Sequence, residues 1–201
     1  MTSTLRALTF GLAMVAATAV AAPPQPAQTR LALFTRELRF TLPAGFVEAT
    51  NRSNDTHVLI EYVPKGETVA NWRRMVTVQA YRGLGSSPAT SAAIARQAFY
   101  PAACRIGPIY RDGGEQALGG GLRRSLIVNG CASLPAGAYP KALAGAGEQD
   151  FIAMFRDGET VWTLNYAERG APFPVRKPPR PVAQAQAVMQ QIFGAVSLTP
   201  R

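Results

Sequence analysis

A single histidine stands in this sequence of 201 residues. His57 opens an alternating apolar run and is followed four residues later by Glu61. On an extended strand the two side chains share a face, and a carboxylate beside an imidazole tunes it for acid–base work. The simpler reading is a polar, solvent-facing strand side, so a hydrolase using His57 with Glu61 is carried only as an alternative. No serine sits in a G-x-S-x-G context, and Ser53 lies in a turn-rich stretch without nucleophile surroundings. Gly119-Gly120-Gly121 precedes a predicted strand, as does Gly145-Ala146-Gly147. A phosphate cradle needs a helix N-terminus there, so both read as loops. Asp150, Asp157 and Glu159 form an acidic cluster, but Asp157 is accounted for by an Asp-Gly turn and no calcium loop is read. One histidine and two cysteines also argue against a metal centre built from several such ligands. No catalytic residue, metal or cofactor is assigned.

Positive charge is the other chemical resource. The chain carries 21 basic and 12 acidic residues, a formal net charge of +9 at pH 7. Only Lys65, Lys141 and Lys177 are lysines. Arginine abundance of this kind has a bland source in GC-rich codon usage. The cations are scattered rather than gathered into a patch or a recognisable module, which argues against a nucleic-acid partner. The field still favours acidic partners, such as an acidic protein or an anionic envelope component. Arg73, Arg74 and Arg124 are the candidates for gripping an anionic ligand. Trp72, Tyr81, Phe99, Tyr100, Trp162 and Tyr166 form either the core or the wall of an apolar pocket, and both alternatives stay open.

The N-terminus carries an address. Arg6 precedes an uncharged apolar run from Ala7 to Val20, which ends in small residues before Pro23-Pro24. That is the pattern of a secretory signal peptide, residues 1–21, with cleavage expected after Ala21. The run is shorter than the roughly 20 apolar residues a membrane span needs. No second run of spanning length follows, so no transmembrane segment is expected in the mature chain. Export to an oxidising compartment, the periplasm or outside of a bacterium, predicts that Cys104 and Cys131 pair. Closing their 27-residue separation stabilises the fold by roughly 3–4 kcal/mol in the chain-entropy model. Asn51-Arg52-Ser53 and Asn54-Asp55-Thr56 are formal glycosylation sequons with little meaning in a bacterial host.

These residues must be positioned by a modest set of elements. Residues 22–29 read as a flexible proline-rich leader, and 30–201 as one domain. Strands are predicted over Leu38–Leu42, resuming at Phe46-Val47, and over His57–Val63, Met75–Tyr81 and Leu122–Val128. Asn51–Asp55 reads as a turn, and Glu67–Arg74 as one or two helical turns with Trp72 facing inward. Ser91 is the expected N-cap of a helix through 92–100, with Ile94, Ala95, Ala98 and Phe99 buried. Residues 134–147 and 170–180 read as loops. Asp157-Gly158 between two apolar runs predicts a hairpin. A closing helix begins at Pro181, buries Val182, Ala185, Met189 and Ile192, and stops at Gly194. A short edge strand ends the chain. The sum is an α+β fold, mostly antiparallel sheet with a few packed helices.

The strand–short helix–strand pattern around Glu61-Tyr62-Val63-Pro64 and Val76-Thr77-Val78-Gln79 resembles uncharacterised exported proteins of proteobacteria. The late hairpin and the closing helix from Val182 to Phe193 are similar to the PsbP-like α/β sandwich, over most of residues 37–199 in element order. The resemblance implies a binding or accessory role. The expected function is therefore an exported, non-catalytic periplasmic protein that binds a partner protein or an envelope component. The alternative is a binder of a small anionic or amphipathic ligand.

Overall fold

The computed structural model describes residues 23–91, 93–95, 104, 108–135 and 145–201, the side chains of 108–110 apart. The predicted signal segment with its cleavage site, residues 96–100 of the predicted helix (Ala98, Phe99 and Tyr100 among them), and residues 136–144 of the predicted loop lie outside the described residues.

Alternating side chains make most of the structure β. Seven antiparallel strands form the main sheet: β3 (Phe46–Ser53), β4 (His57–Pro64), β5 (Arg74–Arg82), β6 (Pro108–Gly119), β7 (Leu122–Cys131), β8 (Gly147–Arg156) and β9 (Thr160–Gly170), in the order β3-β4-β5-β9-β8-β7-β6. A second, three-stranded antiparallel sheet has the order β1-β2-β10, with β1 (Ala27–Leu33), β2 (Arg36–Leu42) and β10 (Ser197–Pro200). The closing helix, α1 (Ala185–Phe193), follows a short 3-10 turn at Val182–Gln184. The fold is thus mostly antiparallel sheet with few helices, as the sequence indicates.

Period two assigns the faces. Val76, Val78 and Ala80 of β5 point one way with Val58, Ile60 and Tyr62 of β4, and with Phe151, Phe155, Trp162 and Leu164 of the central hairpin. Sheet β1-β2-β10 and α1 cover this face, adding Leu33, Leu38, Phe40, Val188, Met189 and Phe193 to one continuous core. The opposite face holds smaller apolar clusters, of which one joins Ile94 and Ala95 to Ile127, Ile152, Met154 and Val161. A second face-two cluster gathers Val63, Trp72, Met75 and Ala167. Cys104 and Cys131 form the predicted disulfide, packed with Leu134.

Several elements differ from the sequence reading. Strand β1 already begins at Ala27, where it pairs with Leu42, so residues 27–29 of the expected leader belong to the sheet. β3 runs through Ser53, and the turn sits later: the Asn54 side chain accepts from the backbone N–H of Thr56 and of His57. No helical turn forms at Glu67–Arg74. A tight two-way bridge between Thr68 and Asn71 closes that segment, and the Glu67 carboxylate accepts the Arg73 backbone N–H at 2.8 Å. Trp72 is nevertheless buried, beneath the Arg169 guanidinium at 3.6 Å. Residues 91 and 93–95 are helical, but Thr90 is the cap, its hydroxyl accepting from Ala93 N–H. Ser91 instead donates both its hydroxyl and its backbone N–H to Glu115. Pro181 precedes the closing 3-10 turn in an extended conformation rather than starting the helix. The buried stripe of α1 is Val188, Met189 and Phe193, with Val182, Ala185 and Ile192 at its margin. Gly194, at φ 63°, ends the helix as expected.

Candidate functional site

Arg74 opens β5 on the core-facing side of the main sheet, at the sheet margin, where its side chain stays exposed. Directly across the strand pair lies Glu168 of β9. Glu168 would be the natural partner of Arg74, but its oxygens are already engaged. Arg180, entering from the loop before α1, donates Nε to Oε2 at 2.6 Å and Nη2 to Oε1 at 2.7 Å. The Tyr166 hydroxyl donates to Oε1 at 2.6 Å. Among the described residues no carboxylate lies within ion-pair distance of Arg74; its guanidinium stands 5.7 Å from the Phe46 ring.

The charge states follow from this wiring. Burial pushes the Glu168 carboxyl up, but the hydrogen bonds from Arg180 and Tyr166, with the charges of Arg180 and Arg74, outweigh it and hold the group below its ordinary range. Burial, then the bond to Glu168, raises the Tyr166 phenol, which stays neutral. The bond to Glu168 raises Arg180 further. Two cations therefore face one anion, and one positive charge is left over.

That charge borders open space. A groove of about 460 Å³ runs past Phe46, Arg74, Tyr166, Arg180, Gln190 and Ile192. On the other side of Arg74 a second groove, of about 420 Å³, contains Glu67, Arg73, Arg169 and Pro179. Arg73 lines only this second groove; its exposed guanidinium is 3.5 Å from Glu67.

Arg124 belongs elsewhere. On β7 it pairs with Phe155, which pairs with Trp162, which lies opposite Ala80 of β5. Ala80 is six residues along β5 from Arg74, roughly 20 Å at strand rise, so the three predicted arginines do not form one site. Arg124 donates to Gln116 at 2.8 Å and, with Arg111, lines a cleft of about 200 Å³ at the start of α1.

The remaining candidates take structural places. His57 shares a hydrogen bond with Gln79 at 3.3 Å and stacks on Tyr81 at 4.4 Å, and the Tyr81 hydroxyl donates to the same Gln79 oxygen. Glu61 lies four residues along the strand, opposite Thr77, roughly 13 Å away at strand rise. Trp72, Trp162 and Tyr166 are buried; Trp162 donates to the Leu33 carbonyl at 3.1 Å. Asp157 caps its own turn, accepting from Glu159 and Thr160 N–H, and binds Arg36. Gly119, Gly120 and Gly121, all at positive φ, make the β6–β7 turn. Among the described residues no three His, Cys, Asp or Glu side chains converge as a metal site, and no helix is long and apolar enough to cross a membrane.

Sequence reasoning placed Arg180 only at the end of the 170–180 loop. Its role depends on Glu168 standing across from Arg74, a long-range pairing without a local signal. Compared with known protein families and with curated proteins, the sequence finds no match.

Proposed function

We propose that the protein is an exported, non-catalytic binding protein of a bacterial periplasm, and that it engages an anionic partner at Arg74. The observation that carries the reading is the saturation of Glu168 by Arg180 and Tyr166, which leaves Arg74 as an uncompensated cation between two grooves. An arginine fork held over an aromatic ring and open to solvent suits a carboxylate or phosphate group of an envelope component or partner protein. Export is supported by the N-terminal pattern and by the Cys104–Cys131 disulfide, which belongs in an oxidising compartment. The engagement of His57 with Gln79 and Tyr81, away from Glu61, favours binding over hydrolysis. The order of a large antiparallel sheet followed by a closing helix fits a PsbP-like sandwich of adaptor type.

Native mass spectrometry of protein drawn from its host's envelope fraction tests this. The wild type should carry added mass, or stay with the fraction until salt displaces it, and Arg74→Glu should do neither. A wild type of bare mass, leaving the fraction at the same salt concentration as the variant, overturns the proposal.

A further inference from the structure

We infer that the occupant of the Arg74 groove is a monomeric amphiphile with one carboxylate head, the head on Arg74 and the body along Phe46, Pro43 and Ile192. The inference rests on the anionic-partner reading and sharpens it.

Charge selects the head. Arg74 and Arg180 bring two positive charges and Glu168 returns one, so a single further anion completes the balance. A dianion would set surplus negative charge against the half-buried Glu168 carboxylate, and like charges at close range are costly. The two oxygens of a carboxylate match the guanidinium fork. α1 ends beside the groove at Gly194, with no basic residue in its last turn. The carbonyl end of a helix carries partial negative charge, so the anionic head goes to Arg74 rather than to the helix end.

Size and lining select a small, single-tailed molecule. A groove of about 460 Å³ takes on the order of 20 non-hydrogen atoms at ordinary packing density. A two-chain phospholipid is several times larger. Pro43, Phe46 and Ile192 offer apolar wall, while Gln190 and Gln191 bring amides to the rim. The Thr41 hydroxyl already accepts from Gln28 at 2.8 Å.

The test is calorimetric titration of the purified protein with sodium dodecanoate below its micelle concentration, beside sodium acetate, inorganic phosphate and dodecyltrimethylammonium. Sedimentation with phosphatidylglycerol vesicles completes the set. Wild type should bind dodecanoate at one site. Arg74→Gln, an exposed substitution that leaves the core intact, should weaken it about tenfold or more, the loss expected of one charge-assisted contact. Acetate should bind far more weakly than dodecanoate. If acetate or phosphate binds as well as dodecanoate and needs Arg74, the amphiphile is wrong while the anionic reading stands. Binding to vesicles alone likewise overturns the amphiphile. Dodecanoate held equally by the variant, or no better than dodecyltrimethylammonium, is detergent adsorption and overturns it too. If no anion, vesicle or amphiphile binds, the amphiphile is wrong, and the anionic-partner reading falls with it when the envelope-fraction protein also carries no added mass and leaves at the same salt as Arg74→Glu.

Discussion

Asp150 is the side chain whose surroundings fit its chemistry least. It lies fully inside the face of the main sheet opposite α1, with Asn129 directly across on β7 and Asn165 one step away on β9. Asn165 donates to Oδ1 at 3.2 Å, but Oδ2, both amide atoms of Asn129, the Asn165 carbonyl oxygen and the Thr163 hydroxyl have no partner among the described residues. Burial pushes the Asp150 carboxyl well above its ordinary range, and repulsion from Glu148 adds to the shift. An acid raised in the folded state contributes its full stability below its unfolded pKa, about 3.9. That stability is lost as pH rises through the folded value. Glu115, Asp157 and Glu168 are lowered and run the other way, losing stability as pH falls. The difference between wild type and Asp150→Asn cancels these and reads Asp150 together with Glu148, the neighbour that repels it. At pH 8 the variant should be more stable by roughly 1–3 kcal/mol, the scale of an imperfectly paired buried polar group, and the gain should vanish near pH 4. Urea midpoints at the two pH values read it; parallel curves for the two proteins would remove the argument. Nothing in the sequence singled out Asp150 in this way. Its neighbours in the acidic cluster were chosen by proximity along the chain, whereas its environment is made by β7 and β9.

Strands whose alternation is strong were legible, because period two and burial agree: β4, β5 and the Asp157-Gly158 hairpin all fall where the pattern puts them. β6 was not. Its Gly113-Gly114 pair breaks the pattern where the register slips between Asp112 and Glu115, and described side chains from Arg111 onward are exposed. An edge strand with a bulge has no apolar face to announce it. The Glu67–Arg74 segment failed for a related reason: a single inward Trp72 gives no period, and the local Thr68–Asn71 turn carries no Gly or Pro to announce it. The loop from 83 to 90 is fixed by a residue outside it. Arg156, buried at the end of β8, donates to the carbonyls of Gly85, Ser87 and Ala89 at 2.9, 2.8 and 2.6 Å. Arg156→Met leaves three carbonyls without that donor, so a loss on the order of 3 kcal/mol is expected. Faster amide exchange at Gly85 and Ser87 should accompany it. A loss spread evenly over the main sheet would mean that Arg156 supports the strands instead. Cys104→Ser releases the tether to β7 and should lower stability by roughly 3 kcal/mol. A denaturant midpoint unchanged from wild type would show that the disulfide adds nothing.

Across the molecule, the excess of cations does not act as one field. The Arg74 groove and the cleft of Arg111 and Arg124 lie at different levels of the main sheet, roughly 20 Å apart along the strands. The sequence reading joined Arg73, Arg74 and Arg124 because residue type is visible in a sequence and strand order is not. Arg124 is separated from Arg74 by two intervening strands that arrive later in the chain. Screening decides whether the distance matters. The Debye length is about 8 Å at 0.15 M salt and about 30 Å at 0.01 M. At the higher salt each guanidinium answers only for its own site, and at the lower both contribute to attracting an approaching anion. At 0.15 M, Arg74→Gln should therefore reduce the affinity for dodecanoate while Arg124→Gln leaves it within error. At 0.01 M both variants should slow association, and their effects should add, since sites this far apart share no contacts. Stopped-flow association at the two salt concentrations separates the cases. Equal losses of affinity from both variants at 0.15 M would mean that the ligand spans the distance between them, and that the three arginines form one extended site after all.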